Sequence, residues 1–284
     1  MKKITMLFVL LFITTSFIYA DSFKVVSIGN DLNEQQKINM LNIFNVNENE
    51  AQIITVTNDE EKKYLYGIVS SSKIGNKAIS CAYVEPLSEG SGLKVSTLNL
   101  TWVTDDIIAN ALTTAGIKDA KVIAAAPFNV SGTAALTGIM KGFEKATGKK
   151  LDVDAKNAAN QEMVTTGELG QAFGKENAVQ FINDVKRDVL KNNITSPDDI
   201  RTIIERVAEH NDINLSEEQI AKVIDLMNKI NNLDLNFDEI SNQLKDISGK
   251  ISKVIQQNEE AKSILTKTVE MLKNLVSKLG RLFK

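Results

Sequence analysis

The chain has 284 residues, 43% of them hydrophobic and 24% charged, which is typical of a soluble globular protein with one large or two ordinary domains. The formal net charge of −3 disfavours nucleic acid as the main partner, because such proteins carry a strongly basic face. A single cysteine, Cys81, excludes an intramolecular disulfide. Its place in the alternating stretch AISCAYV predicts a small buried residue in a strand.

Residues 1–20 are predicted to be a secretory signal peptide. Lys2 and Lys3 precede an almost wholly apolar run over residues 4–17, and the small Ala20 stands before the polar Asp21. The run is short for a transmembrane helix, although an uncleaved membrane anchor is the alternative. We therefore expect a secreted, extracellular protein that is associated with the cell envelope.

Residues 21–150 are predicted to form an α/β (or α+β) domain with a mixed sheet, because strand patterns alternate with helical ones. The turn-rich loop at 86–92 predicts a hairpin between the third and fourth strands. Asn33 and Gln36 have the spacing of a capping box, and Thr104 is placed to cap a later helix. The predicted strands are 21–29, 51–57, 76–84, 92–103 and 119–127.

Residues 151–262 are predicted to form an all-α helical domain, since strand patterns end near residue 150. The segments SPDDI, SEEQI and NFDEI recur at residues 196, 216 and 236, each with a capping residue first. This spacing indicates a helical repeat of about 20 residues. The alternative is a chance likeness between capped amphipathic helices of equal length.

Residues 263–284 are predicted to form a basic amphipathic C-terminal helix. Its apolar residues have the 4, 3, 4, 3 spacing of a helical seam, and its charges are mostly basic. Such a helix can bind a membrane surface or a polyanionic wall polymer, or it can pack on the preceding helices with its lysines in water. The candidate surface-binding residues are Lys267, Lys273, Lys278, Arg281 and Lys284.

The stretch AAAPFNVSGTAALTG contains the one candidate ligand-binding turn, at Ser131, Gly132 and Thr133. Ser131 or Thr133 is placed to cap the following helix, whose first amide groups could bind an anion. The stretch lacks the Walker lysine and the G-x-G-x-x-G pattern. The alternative is a tight strand-to-helix turn that serves close packing.

No catalytic set, metal site or cofactor site is predicted. His210 is the only histidine, so a multi-histidine zinc site is excluded, and no G-x-S-x-G pattern occurs. Two acidic stretches, starting at residues 152 and 232, fail the spacing of a calcium-binding loop.

The block NALTTAGIKDAKVIAAAPFNVSGTAALTGIMKGFE, with VTNDEEKKYLYG before it and VTTGELGQAFG after it, resembles the YpuA-like secreted proteins of Gram-positive bacteria. The resemblance runs from about Val25 into the helical half. It implies a secreted, envelope-facing bacterial protein from a family of unknown function. It implies no activity, cofactor or catalytic residue.

We therefore expect a non-catalytic binding or scaffold protein whose partner is a cell-wall polymer, a membrane surface or an envelope protein. The alternative is an envelope-acting hydrolase with its site at the strand-to-helix turn of residues 127–133. A buried turn would favour the binding protein, and an open pocket with two acids within reach would favour the enzyme.

Overall fold

The computed structural model describes residues 23–65, 68 and 74–251. The predicted signal peptide and the predicted basic C-terminal helix both lie outside these residues. The strands are β1 Val25–Gly29, β2 Gln52–Val56, β3 Cys81–Pro86, β4 Leu93–Leu100 and β5 Ala120–Val130. The helices are α1 Glu34–Phe44, α2 Asn58–Leu65, α3 Asp105–Thr114, α4 Thr133–Thr147, α5 Val153–Phe173, α6 Lys175–Lys191, α7 Pro197–His210, α8 Glu217–Asn231 and α9, 237–251.

The five strands form one mixed sheet in the order β2-β1-β3-β5-β4. β3 is antiparallel to both of its neighbours, while β1 pairs with β2 and β4 with β5 in parallel. The carboxyl ends of β1, β2, β4 and β5 therefore meet at one edge. The predicted N-terminal α/β region with a mixed sheet, followed by helices, is confirmed.

The predicted hairpin between the third and fourth strands is wrong, because β5 lies between β3 and β4. The physical reason is visible in the side chains of β5. Ala120, Val122, Ala124, Ala125 and Ala126 are buried, which suits a central strand covered on both faces. β4 alternates exposed and half-buried residues, as an edge strand does.

Helices cover both faces of the sheet. On one face, Val26 and Tyr83 of the strands pack with Met40 and Phe44 of α1. On the other face α4 lies so close to the sheet that a Cβ added at Gly138 would clash with Oγ of Ser27. Glycine at this position permits the close approach. Cys81 is fully buried in the cluster beneath α1, and burial raises the pKa of its thiol to about 11, as expected for a packed and unreactive cysteine.

Predicted helix ends agree with the structure at several positions. Asn33 and Gln36 form the capping box of α1, and Thr104 caps α3. The three capping residues spaced 20 apart also act as caps: Ser196 and Ser216 accept backbone N–H groups of α7 and α8, and the Asn236 side chain accepts the Glu239 N–H. That the three helices form a true repeat stays a prediction.

The helical half shares its core with the α/β half. α5 contributes Met163 and Val164 to the cluster that contains α3 and the sheet, and Leu169 to the cluster formed with α6, α7 and α8. α9 returns to the α/β half, where Ile247 and Ile251 join the first cluster. The predicted boundary near residue 150 lies between α4 and α5, yet apolar packing crosses it.

No helix in the described ranges is both long and apolar enough to cross a bilayer.

Candidate functional site

The predicted ligand turn lies at the edge where the carboxyl ends of four strands meet. Gly132 itself is the N-cap of α4, with a left-handed φ of 98° and no side-chain cap hydrogen bond. The prediction that Ser131 or Thr133 caps this helix is therefore wrong. Glycine is needed here for two reasons. A Cβ added at this position would lie 2.9 Å from Cγ2 of Val103, and other residues rarely adopt this left-handed φ.

This turn is closely packed. Thr133 is 2% exposed, and its hydroxyl lies 3.2 Å from that of Ser131. The backbone N–H of Ala135, in the first turn of α4, donates to Oγ of Ser80 at 2.8 Å. At least one helix N-terminal amide thus already has a protein acceptor. Binding of an anion by Ser131, Gly132 and Thr133 stays a prediction.

One acid lies against this turn. Glu61 of α2 is 1% exposed, and Asn58 Nδ2 donates to its Oε2 at 3.4 Å. Burial raises the pKa of Glu61 above its ordinary value of 4.5, while hydrogen bonds from Thr133 and Asn58 act in the opposite direction. The carboxyl is therefore costly to ionise inside the folded chain.

Glu61→Gln is expected to raise the free energy of unfolding by about 1 kcal/mol at neutral pH, because it removes a buried charge and keeps the shape of the side chain. A raised folded pKa gives stability at low pH that is lost as the pH rises above 4.5. The gain should therefore shrink as the pH falls towards 4, as measured by urea unfolding at several pH values.

The neighbouring Glu60 supplies the control. Burial would raise its pKa, but Lys141 and Thr57 outweigh burial and hold the pKa below its ordinary value. Glu60→Gln should therefore destabilise the chain at neutral pH, with the loss fading in acid. Equal pH profiles for the two variants would contradict this account of Glu61.

Three hollows lie next to one another: the first two share Tyr64, and the last two share Ile68 and Lys229. The first, which we call the lysine hollow, has a volume of about 650 Å³ between the edge strand β2 and the C-terminal turn of α4. Lys141, Lys145 and Lys150 line it with a single acid, Glu144. Phe23, Ile54 and Tyr64 give it an apolar floor. It is the most positively charged of the three.

Two ion pairs fix the lysine hollow in shape. The ammonium group of Lys141 pairs with Glu60 and donates to the backbone oxygen of Thr55 at 2.9 Å. Lys156 donates to Glu144 at 3.0 Å, with both side chains about one-tenth exposed. Burial would raise the pKa of Glu144, but Lys156 and the Leu151 N–H lower it, so the carboxylate stays ionised. Lys145 and Lys150 are exposed, although Lys150 also lies 3.7 Å from the Glu144 carboxylate.

The second hollow, which we call the amide hollow, has a volume of about 560 Å³ and shares Tyr64 with the lysine hollow. It lies between α2, α5 and the end of α8. Asn157 and Asn232 line it, together with Asp154 and Lys63. Neither asparagine side chain has a hydrogen bond to another residue in the described part of the chain.

The third hollow, of about 360 Å³ between α5 and α8, shares Ile68 and Lys229 with the amide hollow. Its two lysines face three acids, Glu168, Glu218 and Asp225. Positive charge thus falls from the lysine hollow to the third one. The three hollows extend from the β2 edge to the groove between α5 and α8, and we call them together the cleft.

The spacing of lysines in the sequence indicates part of the lysine hollow, although no site was predicted there. Lys141 and Lys145 are spaced four apart on α4, which places them on one helix face. Lysines near a helix C-terminus also suit the helix dipole, so the spacing alone does not indicate a ligand site. The predicted basic residues Lys267, Lys273, Lys278, Arg281 and Lys284 lie outside the described residues.

A buried ion pair joins α5 to α6. Lys186 of α6 donates to Glu162 of α5 at 2.6 Å, to Asn110 of α3 at 2.9 Å and to Thr114 at 3.1 Å. Both charged side chains are at most 1% exposed. Burial lowers the pKa of Lys186, and the Glu162 carboxylate opposes this. With no access for a ligand, this cluster joins three helices and is structural.

In the described part of the chain, no group of three or more histidine, cysteine or acidic side chains is placed to hold a metal ion. His210 lies exposed in the last turn of α7.

The structure thus combines an α/β layer, a helical half that packs against it through α5 and α9, and a cleft lined in part by lysines. The chain belongs to the family described as a protein of unknown function (DUF1002), whose match covers residues 28–247. The resemblance drawn from the sequence is thereby confirmed at the level of the family.

Among curated proteins, the chain is similar to "Uncharacterized protein YpuA" of Bacillus subtilis (strain 168). The two are 39% identical over 263 residues, which cover 92% of this chain and 89% of that protein. No solved structure matches the chain.

Proposed function

We propose that the protein is a secreted, non-catalytic binding protein that holds an anionic polymer of the cell envelope in the cleft. The observation that carries the proposal is the lysine hollow, where three lysines and one glutamate surround a hollow of about 650 Å³. In a chain whose net charge is −3, such a local excess of lysine is a region with charge complementary to a polyanion.

The shape of the cleft favours a polymer over a flat membrane surface. The three hollows adjoin through shared residues, Tyr64 between the first two and Lys229 between the last two. A row of adjoining hollows suits an extended chain, whereas a bilayer would contact only the outermost lysines. An expected signal peptide and the family resemblance support an envelope location.

The hydrolase alternative receives less support from the geometry. Thr133 is buried, Gly132 packs against Val103, and Glu61 is the acid that contacts the turn. A hydrolase that uses carboxylates needs two of them on opposite sides of an accessible bond.

The test replaces three exposed lysines of the cleft, as Lys63→Gln, Lys145→Gln and Lys150→Gln together, in the chain from residue 21 to 284. We expect affinity for inorganic polyphosphate to fall by tenfold or more, because each lysine near a polyanion contributes on the order of 1 kcal/mol. Lys141 is left unchanged because its ion pair with Glu60 shapes the hollow. Titration calorimetry measures the affinity.

The matched control is the triple variant Lys94→Gln, Lys191→Gln and Lys245→Gln, which makes the same charge change at exposed lysines elsewhere. It should bind polyphosphate within twofold of the original chain. Equal losses in the two triple variants would refute a specific cleft. A loss of all binding on removal of residues 265–284 would assign the binding to that segment instead.

A further inference from the structure

The amide hollow differs in chemistry from the lysine hollow beside it. Lys229 already donates to Oε1 of Gln161 at 2.6 Å and to Oδ2 of Asp225 at 2.9 Å. Its charge is therefore largely compensated, and the exposed Asp154 balances the charge of Lys63, the other lysine that lines this hollow. The amide hollow thus suits a neutral polar group more than another phosphate or carboxylate.

The groups that line this hollow fit a ring bearing hydroxyl groups. Asn157 and Asn232 are exposed and lack hydrogen-bond partners among the described residues. Each amide offers two donors and one acceptor oxygen, and sugar hydroxyls are both donors and acceptors. The half-buried Tyr64 lines this hollow as well as the lysine hollow; the Lys156 ammonium lies 5.9 Å from its ring centroid, and the rest of the aromatic side chain offers an apolar surface for the C–H face of a sugar.

Tyr64 lines both the lysine hollow, which suits an anionic group, and the amide hollow, which suits a neutral polar group. Because Tyr64 lines both hollows, a ligand that contacts it can reach the lysines of one hollow and the amides of the other. The volume of about 560 Å³ falls in the range of small-molecule sites. We propose that the amide hollow is a subsite for a glycosyl unit, so that the ligand is a polymer carrying both anionic groups and sugar rings. This proposal rests on the proposed function of the cleft.

The experiment compares two probes, polygalacturonate, which carries carboxylates on sugar rings, and inorganic polyphosphate, which has no sugar. The double variant Asn157→Ala and Asn232→Ala is expected to lower affinity for polygalacturonate by about tenfold, because hydrogen bonds to hydroxyl groups are lost. Its affinity for polyphosphate should stay within twofold. The control variant, Asn129→Ala with Asn214→Ala, changes two exposed asparagines outside the cleft and should bind both probes normally.

The possible outcomes separate this inference from the proposed function. Equal losses for the two probes, or no loss for either, would overturn the sugar subsite. Failure of the original chain to bind polygalacturonate would also overturn it. If the cleft-lysine triple variant keeps its affinity for polyphosphate while the asparagine variant loses only polygalacturonate, the polyanion proposal fails and the glycosyl subsite stands.

Discussion

Lys186→Met is expected to lower the free energy of unfolding by about 3–5 kcal/mol, the scale found when one partner of a buried ion pair is removed. The reason is that Glu162, which is fully buried, would lose the cation that compensates it. Asn110 and Thr114, whose side-chain oxygens accept hydrogen bonds from Lys186, would each lose a partner as well. Urea unfolding followed by far-ultraviolet circular dichroism measures the change.

The double variant Lys186→Met with Glu162→Leu separates the charge from the packing. Replacing both ions by apolar side chains of similar size is often neutral, so the double variant should be clearly more stable than Lys186→Met alone. The two substitutions share one network and should not be additive. Additive losses would show that the pair is solvated and would contradict its described burial.

Trp102→Ala is expected to cost about 3–5 kcal/mol of stability, because it removes a large side chain from the core that joins the sheet to α5. Trp102 is 6% exposed and belongs to the same cluster as Ile107 of α3 and Met163 of α5. Its indole lies so close to Gly167 that a Cβ there would be 2.8 Å from Cε2 and Nε1. Chemical unfolding followed by circular dichroism is the measurement.

Gly167→Ala tests the same contact from the other side. Alanine in place of glycine within a helix normally stabilises by about 0.5–1 kcal/mol. Gly249 of α9 should behave in that way, because an added Cβ would have no atom of the described residues within 4 Å apart from the backbone of its own helix. At Gly167 the clash with the indole should reverse the sign. Stabilisation by Gly167→Ala equal to that of Gly249→Ala would contradict the close packing of Trp102.

Local features of the fold could be predicted from the sequence because they depend on neighbouring residues. The capping box at Asn33 and the caps at Ser196 and Ser216 follow from side chains that reach backbone groups three residues away. The place of β5 between β3 and β4 could not be predicted in this way. A turn-rich loop is compatible with a hairpin or with an inserted strand, and only burial on both faces of β5 decides between them.

The candidate site was harder to predict than the fold. Two distant parts of the chain build the lysine hollow: the edge strand β2 with Tyr64 of the following helix α2, and the end of α4. Spacing on one helix could place Lys141 and Lys145 together but could not show what they face. The pair of Lys186 and Glu162, 24 residues apart, likewise depends on how α5 packs against α6. The turn at Gly132 could be recognised because a glycine between a predicted strand and a predicted helix indicates a turn. How tightly that turn is packed cannot be read from the sequence.

The most direct test of the cleft is the salt dependence of polyphosphate binding. If lysines of the cleft contact the polyanion, the logarithm of the affinity falls linearly with the logarithm of salt concentration, by about 0.7–0.9 units per contact. The account predicts that the variant with Lys63, Lys145 and Lys150 replaced by glutamine has a slope shallower by about 2, while the Lys94, Lys191 and Lys245 variant keeps the slope of the original chain. Identical slopes in all three proteins would contradict an anion-binding cleft.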